Sequence, residues 1–155
     1  MHQQYLARAG QMAIDHMTAG EGGPFGAIIV KDGEVISEGW NRVIGTCDPT
    51  AHAEIVAIRR ACEKLGTFHL EGAVLYTSCE PCPMCLSAIY WAHIKHVYYA
   101  NTRADAAHIG FDDQMIYDEI PQPIDQRSLP MEQLLCTVSA ESFRLWKDKQ
   151  DKVPY

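Results

Sequence analysis

The sequence has no excess of basic side chains and no long apolar run. There are 13 Lys and Arg residues against 20 Asp and Glu residues, so the formal net charge is −7. Because an acidic surface repels the phosphate backbone, we expect no general affinity for nucleic acids. No apolar run approaches the ~18–20 residues of a membrane span, and residues 1–17 carry polar side chains throughout, unlike a secretory signal. We therefore expect a cytoplasmic protein.

The sequence also contains no internal repeat, low-complexity tract or interdomain linker. With 155 residues, of which 47% are hydrophobic and 21% charged, it predicts one globular domain spanning residues 1–155. The regular alternation of helical and strand patterns weakens from about residue 103. Without a secretory signal, the six cysteines are reduced thiols, metal ligands or small core residues.

Hydrophobic periodicity predicts the order β-β-α-β-α-β after an N-terminal helix. The Asp32-Gly33 pair between two β-rich runs indicates a hairpin, so the first two strands are antiparallel. Strands connected by helices are expected to be parallel. The pattern predicts a three-layer α/β/α fold with a mixed central sheet. Helices are expected over residues 4–17, 51–65, from Pro81 or Pro83 to Trp91, and 142–150.

Three cysteines are spaced three residues apart: Cys79, Cys82 and Cys85. Cys82 and Cys85 fall at the start of a predicted helix, where positions i and i+3 share one face and two thiolates can bind one metal ion. The positive end of the helix dipole favours thiolates there. Cys79 ends a predicted strand, where a packed role is commoner than a regulatory one. Packing is also favoured for the remaining cysteines: Cys47, Cys62 and Cys136.

His52 is the candidate third ligand, at the start of another predicted helix, and Glu54 follows two residues later. Two thiolates and one imidazole leave the fourth position of a tetrahedral zinc ion open, as in catalytic zinc sites. Glu54 is then placed to move protons, and the order H-x-E … P-C-x-x-C matches the zinc deaminase signature. The alternatives are a structural zinc site, a thiol redox pair and chance. A zinc finger that also uses His93 and His96 is disfavoured because its spacing is too short.

Several segments together resemble the bacterial guanine deaminases of the cytidine-deaminase-like zinc deaminase superfamily. They cover essentially the whole chain: residues 23–27, Asn41, residues 48–54, residues 78–85, residues 110–113 and Tyr155. The resemblance implies hydrolytic deamination of guanine to xanthine and ammonia, with one Zn²⁺ per subunit held by His52, Cys82 and Cys85. It implies a homodimer in which residues 103–155 are exchanged between subunits and close the partner's active site.

The resemblance also implies a set of substrate contacts: Phe25, Asn41, Ala53, Trp91, Asp113 and Tyr155. Glu54 would be the catalytic proton carrier and Asp113 a second proton shuttle. Other roles remain open from the residues alone. Taken alone, Phe25 is more typical of the first core residue of a strand than of a base contact, and Trp91 has the same ambiguity. Asn41 is also typical of a turn, and Asp113 of a helix N-cap or a solvated turn.

Three rival functions remain. Residues 39–42 and 48–55 also resemble tRNA adenosine deaminases, although the acidic balance argues against tRNA binding. Deamination of cytidine or another aminated heterocycle is a related alternative. A zinc-binding interaction domain without activity is the non-enzyme alternative, and Glu54 argues against it because that residue is not needed to hold zinc.

Overall fold

A computed structural model describes all residues from Met1 to Tyr155. The chain forms, in order, α1 His2–Thr18, β1 Gly26–Lys31, β2 Glu34–Trp40, α2 Val43–Thr46, α3 Ala53–Leu65, β3 Val74–Cys79, α4 Pro83–Trp91, β4 His96–Asn101, α5 Arg103–His108, α6 Gln114–Glu119, a 3₁₀ turn Ile124–Gln126, and α7 Thr137–Asp148. None of these helices combines the length and apolar character that crossing a membrane requires.

The four strands form one mixed sheet in the order β2-β1-β3-β4. β1 is antiparallel to both β2 and β3, whereas β3 and β4 are parallel. Asp32 and Gly33 form the predicted hairpin turn with φ values of 52° and 82°, the left-handed conformations that this turn needs. The predicted mixed sheet is confirmed.

Helices cover both faces of the sheet, which gives the predicted three layers. On one face, Ile29 and Leu75 are fully buried in a cluster with Ala53 and Ala57 of α3 and with Ile89 of α4. On the other face, a smaller cluster joins β1 and β3 to α1: Ala9, Ile28, Val30 and Tyr76. Successive strand residues point to opposite faces, so each central strand supplies both layers. This packing fixes the positions of β3 and α4.

The chain divides into two compact units, Met1–Gln114 and Met115–Tyr155. The first unit contains the whole sheet. In the second unit no residue is buried, and large apolar side chains are exposed throughout it: Met115, Ile116, Ile120, Ile124, Leu129, Met131, Leu134, Leu135, Val138, Phe143, Leu145, Trp146, Val153 and Tyr155. Exposed apolar patches of this kind are typical of interaction surfaces.

Two predictions about the C-terminal half and the cysteines are wrong. The last helix spans Thr137–Asp148 and not residues 142–150, and Cys136 is its N-cap residue. The expected packing of Cys47 and Cys136 also fails, since both are exposed, whereas Cys62 is partly buried. Cys47 ends the short helix α2 with a left-handed φ of 52°, which places it in a surface turn.

Candidate functional site

His52 is the N-cap residue of α3, and a hydrogen-bonded turn holds it there. Oδ1 of Asp48 accepts hydrogen bonds from both the backbone N–H and the hydroxyl of Thr50, at 2.8 and 2.7 Å. The carbonyl of Ala51 accepts a hydrogen bond from the N–H of Arg42 at 2.9 Å. These bonds fix the backbone that leads into the helix, so the imidazole has a defined starting position.

Cys82 and Cys85 lie at the start of α4. Cys82 is the N-cap residue, Pro83 occupies the first turn, and Cys85 is fully buried. Nδ1 of His52 lies 3.5 Å from Sγ of Cys82 and 3.6 Å from Sγ of Cys85. The three ligand atoms all lie within 4.8 Å of one another. The structure thus brings together the three metal ligands predicted from the sequence.

These distances fit a zinc ion. Zn–S bonds of about 2.3 Å and Zn–N bonds of about 2.0–2.1 Å at a tetrahedral angle separate bound nitrogen from bound sulfur by roughly 3.5–3.6 Å. Both measured nitrogen–sulfur separations fall in this range. Two sulfurs and one imidazole also match the softness of Zn²⁺. The group contains no fourth protein ligand, which is typical of catalytic sites.

The thiol pair has the electrostatics of a cation site. A hydrogen bond from Cys85, supported by one from His52, lowers the pKa of Cys82 to about 4 although burial opposes this. The same bond to Cys82, together with burial, raises the pKa of Cys85. The hydrogen bond to Cys82 raises the pKa of His52. These contacts favour a thiolate at Cys82, which is the form of a cysteine that binds a metal ion.

Cys79 is close in sequence but does not belong to this group. Its side chain is buried, and its thiol donates to the carbonyl of Thr102 at 3.6 Å. Burial raises the pKa of Cys79 to about 11, so it remains a protonated thiol. The packed role predicted for Cys79 is consistent with this environment.

Glu54 lies in the first turn of α3 and is 6% exposed. Oε1 accepts a hydrogen bond from the hydroxyl of Thr77 at 3.3 Å. Burial is the main cause that raises the pKa of Glu54, and the negative charge of Cys82 adds to it. A carboxyl group with a raised pKa beside a metal site is suited to accepting and returning a proton.

Asp113 is the second carboxylate of the site region. Oδ1 forms an ion pair with Nε of Arg103 at 3.3 Å. Burial raises the pKa of Asp113, the charge of Arg103 opposes the rise, and Cys82 adds to it. Arg103 is itself held, because its backbone N–H donates to Oε2 of Glu80 at 3.0 Å and its guanidinium donates to Oε1 of Gln114 at 2.7 Å. Asp113 is thus an oriented hydrogen-bond acceptor.

Phe25, Asn41 and Ala53 are three further predicted substrate contacts of the first unit. Asn41 is 5% exposed, its N–H donates to the carbonyl of Phe25 at 3.0 Å, and its Oδ1 accepts from the N–H of Val43 at 3.1 Å. The side-chain amide N–H₂ is therefore the group of Asn41 best placed to donate to a ligand. Phe25 is partly buried and meets Phe111 edge to face at 5.0 Å. Ala53 is fully buried beside Glu54.

Trp91 lies away from the three ligands within the first unit. Trp91 is the last residue of α4 and is 65% exposed, so it is not the core residue that its pattern also allowed. At ~1.5 Å per residue it lies roughly 13 Å along the helix from Cys82. Tyr155 belongs to the second unit, where it lines a small cavity with Ser142, Phe143 and Trp146.

Sequence reasoning missed two supporting residues, Thr77 and Arg103. Thr77 is 1% exposed in β3, and its strand pattern does not distinguish a hydroxyl that packs from one that bonds Glu54. Arg103 begins α5 directly after the sheet, and its partner Asp113 follows the end of that helix. A capping box at Thr102 and Asp105, visible as a T-x-x-D pattern, would have located the start of α5.

Comparison with known families agrees with this geometry. The profile of the cytidine and deoxycytidylate deaminase zinc-binding region matches residues 1–101. A guanine deaminase from Bacillus subtilis is 51% identical over 154 residues, which is 99% of each chain. A tRNA-specific adenosine deaminase from Aquifex aeolicus is also 51% identical, but over 77 residues that cover 50% of this chain and 51% of that protein.

Two solved structures of guanine deaminases are also similar to this chain. The crystal structure of B. subtilis guanine deaminase superposes with a TM-score of 0.96 and 51% identity, over 100% of this chain and 99% of that chain. Guanine deaminase from Nitrosomonas europaea superposes with a TM-score of 0.67 and 32% identity, over 77% of this chain and 65% of that chain. The first similarity extends through the segment after residue 101, which the family profile does not cover.

Proposed function

Since the chain belongs to the cytidine and deoxycytidylate deaminase family, we propose that it is a zinc-dependent hydrolase that converts guanine and water into xanthine and ammonia. The observation that carries this proposal is similarity to guanine deaminase over the full chain, combined with the His52, Cys82 and Cys85 group beside a buried Glu54. Similarity to the tRNA enzyme covers only half of the chain.

One Zn²⁺ per chain would be held by His52, Cys82 and Cys85. When bound, it would supply a Lewis acid that lowers the pKa of a water molecule from about 15.7 towards about 7. The ligand set provides two sulfurs on α4 and one nitrogen on α3, so the two helix starts must stay aligned for the site to form. The ion pair and hydrogen bonds around Asp48 and Thr50 support the start of α3, where His52 lies.

Glu54 moves the protons in this proposal. Its carboxylate accepts a proton from the attacking water and delivers it to a ring nitrogen of guanine. A new C–O bond forms at C2, and the carbon becomes tetrahedral. Glu54 then takes the proton of the new C2 hydroxyl group and passes it to the exocyclic nitrogen; the C2–N bond breaks, ammonia leaves with the bonding electron pair, and the C2 oxygen becomes the carbonyl of xanthine. The raised pKa of Glu54 suits it to both proton transfers.

Asp113 and Asn41 would select the base. Guanine presents N–H donors along one edge, and the oriented carboxylate of Asp113 accepts hydrogen bonds from such groups. The amide N–H₂ of Asn41 donates to acceptor atoms of the purine, with Phe25 and Ala53 as apolar neighbours of the ring. In this proposal Asp113 also relays a proton. The acidic balance of the chain suits a small neutral base better than a polyanion.

We also propose a homodimer that exchanges the C-terminal unit, with Trp91 and Tyr155 completing the base pocket. The support is the compactness of Met115–Tyr155 and its large exposed apolar surface, which a second copy would cover. The exchanged segment then begins near residue 115 and not near 103, because residues 103–114 belong to the compact first unit. The cytoplasmic location remains an expectation.

The test of the function is product formation by the zinc-loaded protein. Xanthine and ammonia should appear in equal amounts from guanine, and both should vanish when zinc is removed with a chelator and return when it is added back. Inosine formation in a tRNA anticodon stem-loop, with no xanthine from guanine, would instead establish the tRNA deaminase function. Full zinc binding without release of ammonia from any base would favour the non-enzyme alternative.

A further inference from the structure

A charged and aromatic cluster, the Glu21 cluster, lies next to Asn41 and is not used by the mechanism. It comprises His16, Glu21, Trp40, Arg42 and Arg60. Oε1 of Glu21 lies 2.9 Å from Nδ1 of His16, and Oε2 accepts a hydrogen bond from the indole N–H of Trp40 at 2.7 Å. Nε of Arg42 lies 3.7 Å from Oε2. One carboxylate thus connects the end of α1 with the residues on both sides of Asn41.

Trp40 is held by its ring as well as by its indole N–H. The imidazole of His16 stacks on it at 3.6 Å with an interplanar angle of 4°. The guanidinium of Arg60 lies 4.4 Å from the ring centroid, and the same group donates to the carbonyl of Glu38 at 2.9 Å. A ring with these neighbours has little rotational freedom, so the end of β2 is fixed just before Asn41.

The loop that carries Glu21 also presses directly on Asn41. A Cβ added at Gly22 would lie 2.2 Å from Oδ1 and 2.5 Å from the carbonyl oxygen of Asn41. No side chain fits there, so the Gly22 backbone forms one wall around the amide. The carbonyl of Glu21 accepts a hydrogen bond from the N–H of Gly45 at 2.9 Å, which anchors the loop to α2.

We propose that Glu21 is a positioning residue: through Trp40 and Arg42 it holds the amide of Asn41 in the orientation that binds the purine. This inference rests on the proposed function, in which Asn41 contacts guanine. Glu21 belongs to neither the ligand group nor the proton carriers. We therefore expect its removal to weaken substrate binding and to leave the chemical step unaffected. A contact made equally in the ground state and the transition state changes KM and leaves kcat nearly unchanged.

The first measurement is steady-state guanine deamination by Glu21→Ala, Glu21→Gln and Trp40→Phe. We expect Glu21→Ala to raise KM about tenfold with kcat within about twofold of the unsubstituted protein. Glu21→Gln keeps an acceptor for the indole N–H and should recover most of the affinity. Trp40→Phe keeps a ring but loses the donor and should share the rise in KM. Glu38→Ala, which removes a carboxylate from β2 but keeps the backbone carbonyl that accepts from Arg60, is the control and should leave KM unchanged.

A double-mutant cycle separates positioning from general stability. If Glu21 acts through Asn41, Glu21→Ala should raise KM in the unsubstituted background and have almost no further effect in the Asn41→Ala background. Equal fold-changes in both backgrounds, or an unchanged KM in Glu21→Ala, would overturn the inference. If Glu21→Ala does not fold, the same cycle is measured with Trp40→Phe in its place. Failure of the unsubstituted protein to deaminate guanine would instead contradict the proposed function, so the two failures are distinct.

Discussion

The hydroxyl of Thr77 donates a hydrogen bond to Oε1 of Glu54 over 3.3 Å, between two buried side chains. Thr77 lies on β3 and Glu54 on α3, so the bond joins the strand that leads to the thiol ligands with the helix that carries the imidazole ligand. It holds the carboxylate in one orientation next to the ligand group. The proton carrier and the metal site are thereby positioned by the same two elements.

Glu54→Gln should bind zinc stoichiometrically and lose turnover by at least about 100-fold, because the amide keeps the shape of the carboxylate but cannot carry protons. Zinc content by atomic absorption and xanthine formation, measured on the same sample, check both parts. Glu63→Gln, an exposed position on the same helix, is the control and should keep full activity. Near-normal turnover in a zinc-loaded Glu54→Gln protein would contradict the role given to Glu54.

Cys82→Ala and Cys85→Ala should each lose zinc as well as activity, since each removes one of three ligands. Metal content after dialysis at neutral pH measures the loss. Cys79→Ala is the matched control: its thiol is packed and protonated, so zinc should be retained even if stability falls. Full occupancy in both ligand variants, with loss in the Cys79 variant, would transfer the site to Cys79.

Arg103→Met should shift the acid limb of the pH profile of kcat/KM to higher pH. Burial raises the pKa of Asp113 and the charge of Arg103 opposes that rise, so removing Arg103 raises the pKa further. The proposed role of Asp113 needs the ionised carboxylate, which then forms only at higher pH. Arg8→Met, which breaks the ion pair with Glu38, is the control. An unchanged acid limb in Arg103→Met would show that ionisation of Asp113 does not limit activity at acid pH.

How far the sequence predicts the molecule depends on the range of the interactions. The Asp48-Pro49-Thr50 turn, the His52 and Cys82 helix starts and the Asp32-Gly33 hairpin all depend on neighbours a few residues away, and the structure confirms each. Alternating apolar residues also predict which strand faces are covered. The metal ligands are predictable because each lies at the start of a helix, and a local sequence signal marks that start.

Long-range pairings were not predictable from such signals. Periodicity indicates which face of α1 carries His16, but the stacking of His16 on Trp40 depends on how α1 and β2 pack in the fold. The ion pair between Arg103 and Asp113 likewise depends on the turn after α5. Periodicity does not predict the start of helix α7 at Thr137, because Val138 and Ala140 do not continue a clear apolar period.

Complementation between two inactive chains tests the exchanged segment. A Glu54→Gln chain and a chain ending at Gln150 should together form one intact site per heterodimer, because the first unit of the truncated chain receives the intact C-terminal unit of its partner. The truncated chain alone should bind zinc normally. Activity of the co-refolded mixture, against each chain alone, is the measurement.

The contrasting pair is Glu54→Gln with Asp113→Ala. Both substitutions lie in Met1–Gln114, so each site of that heterodimer keeps one defect and activity should not return. Restoration with the first pair and none with the second locates the exchange after residue 114. No restoration in verified heterodimers of either pair, or a monomer in sedimentation, would contradict the exchange.

The most direct test of the account is the rate of ammonia release by the zinc-loaded protein across guanine, adenine, cytosine, their nucleosides and an adenosine-containing tRNA anticodon stem-loop. The account predicts rapid release from guanine with xanthine as the product, much slower release from adenine, and none from the stem-loop. Efficient formation of inosine in the stem-loop, or preferred deamination of cytosine or cytidine with guanine unreacted, would contradict it.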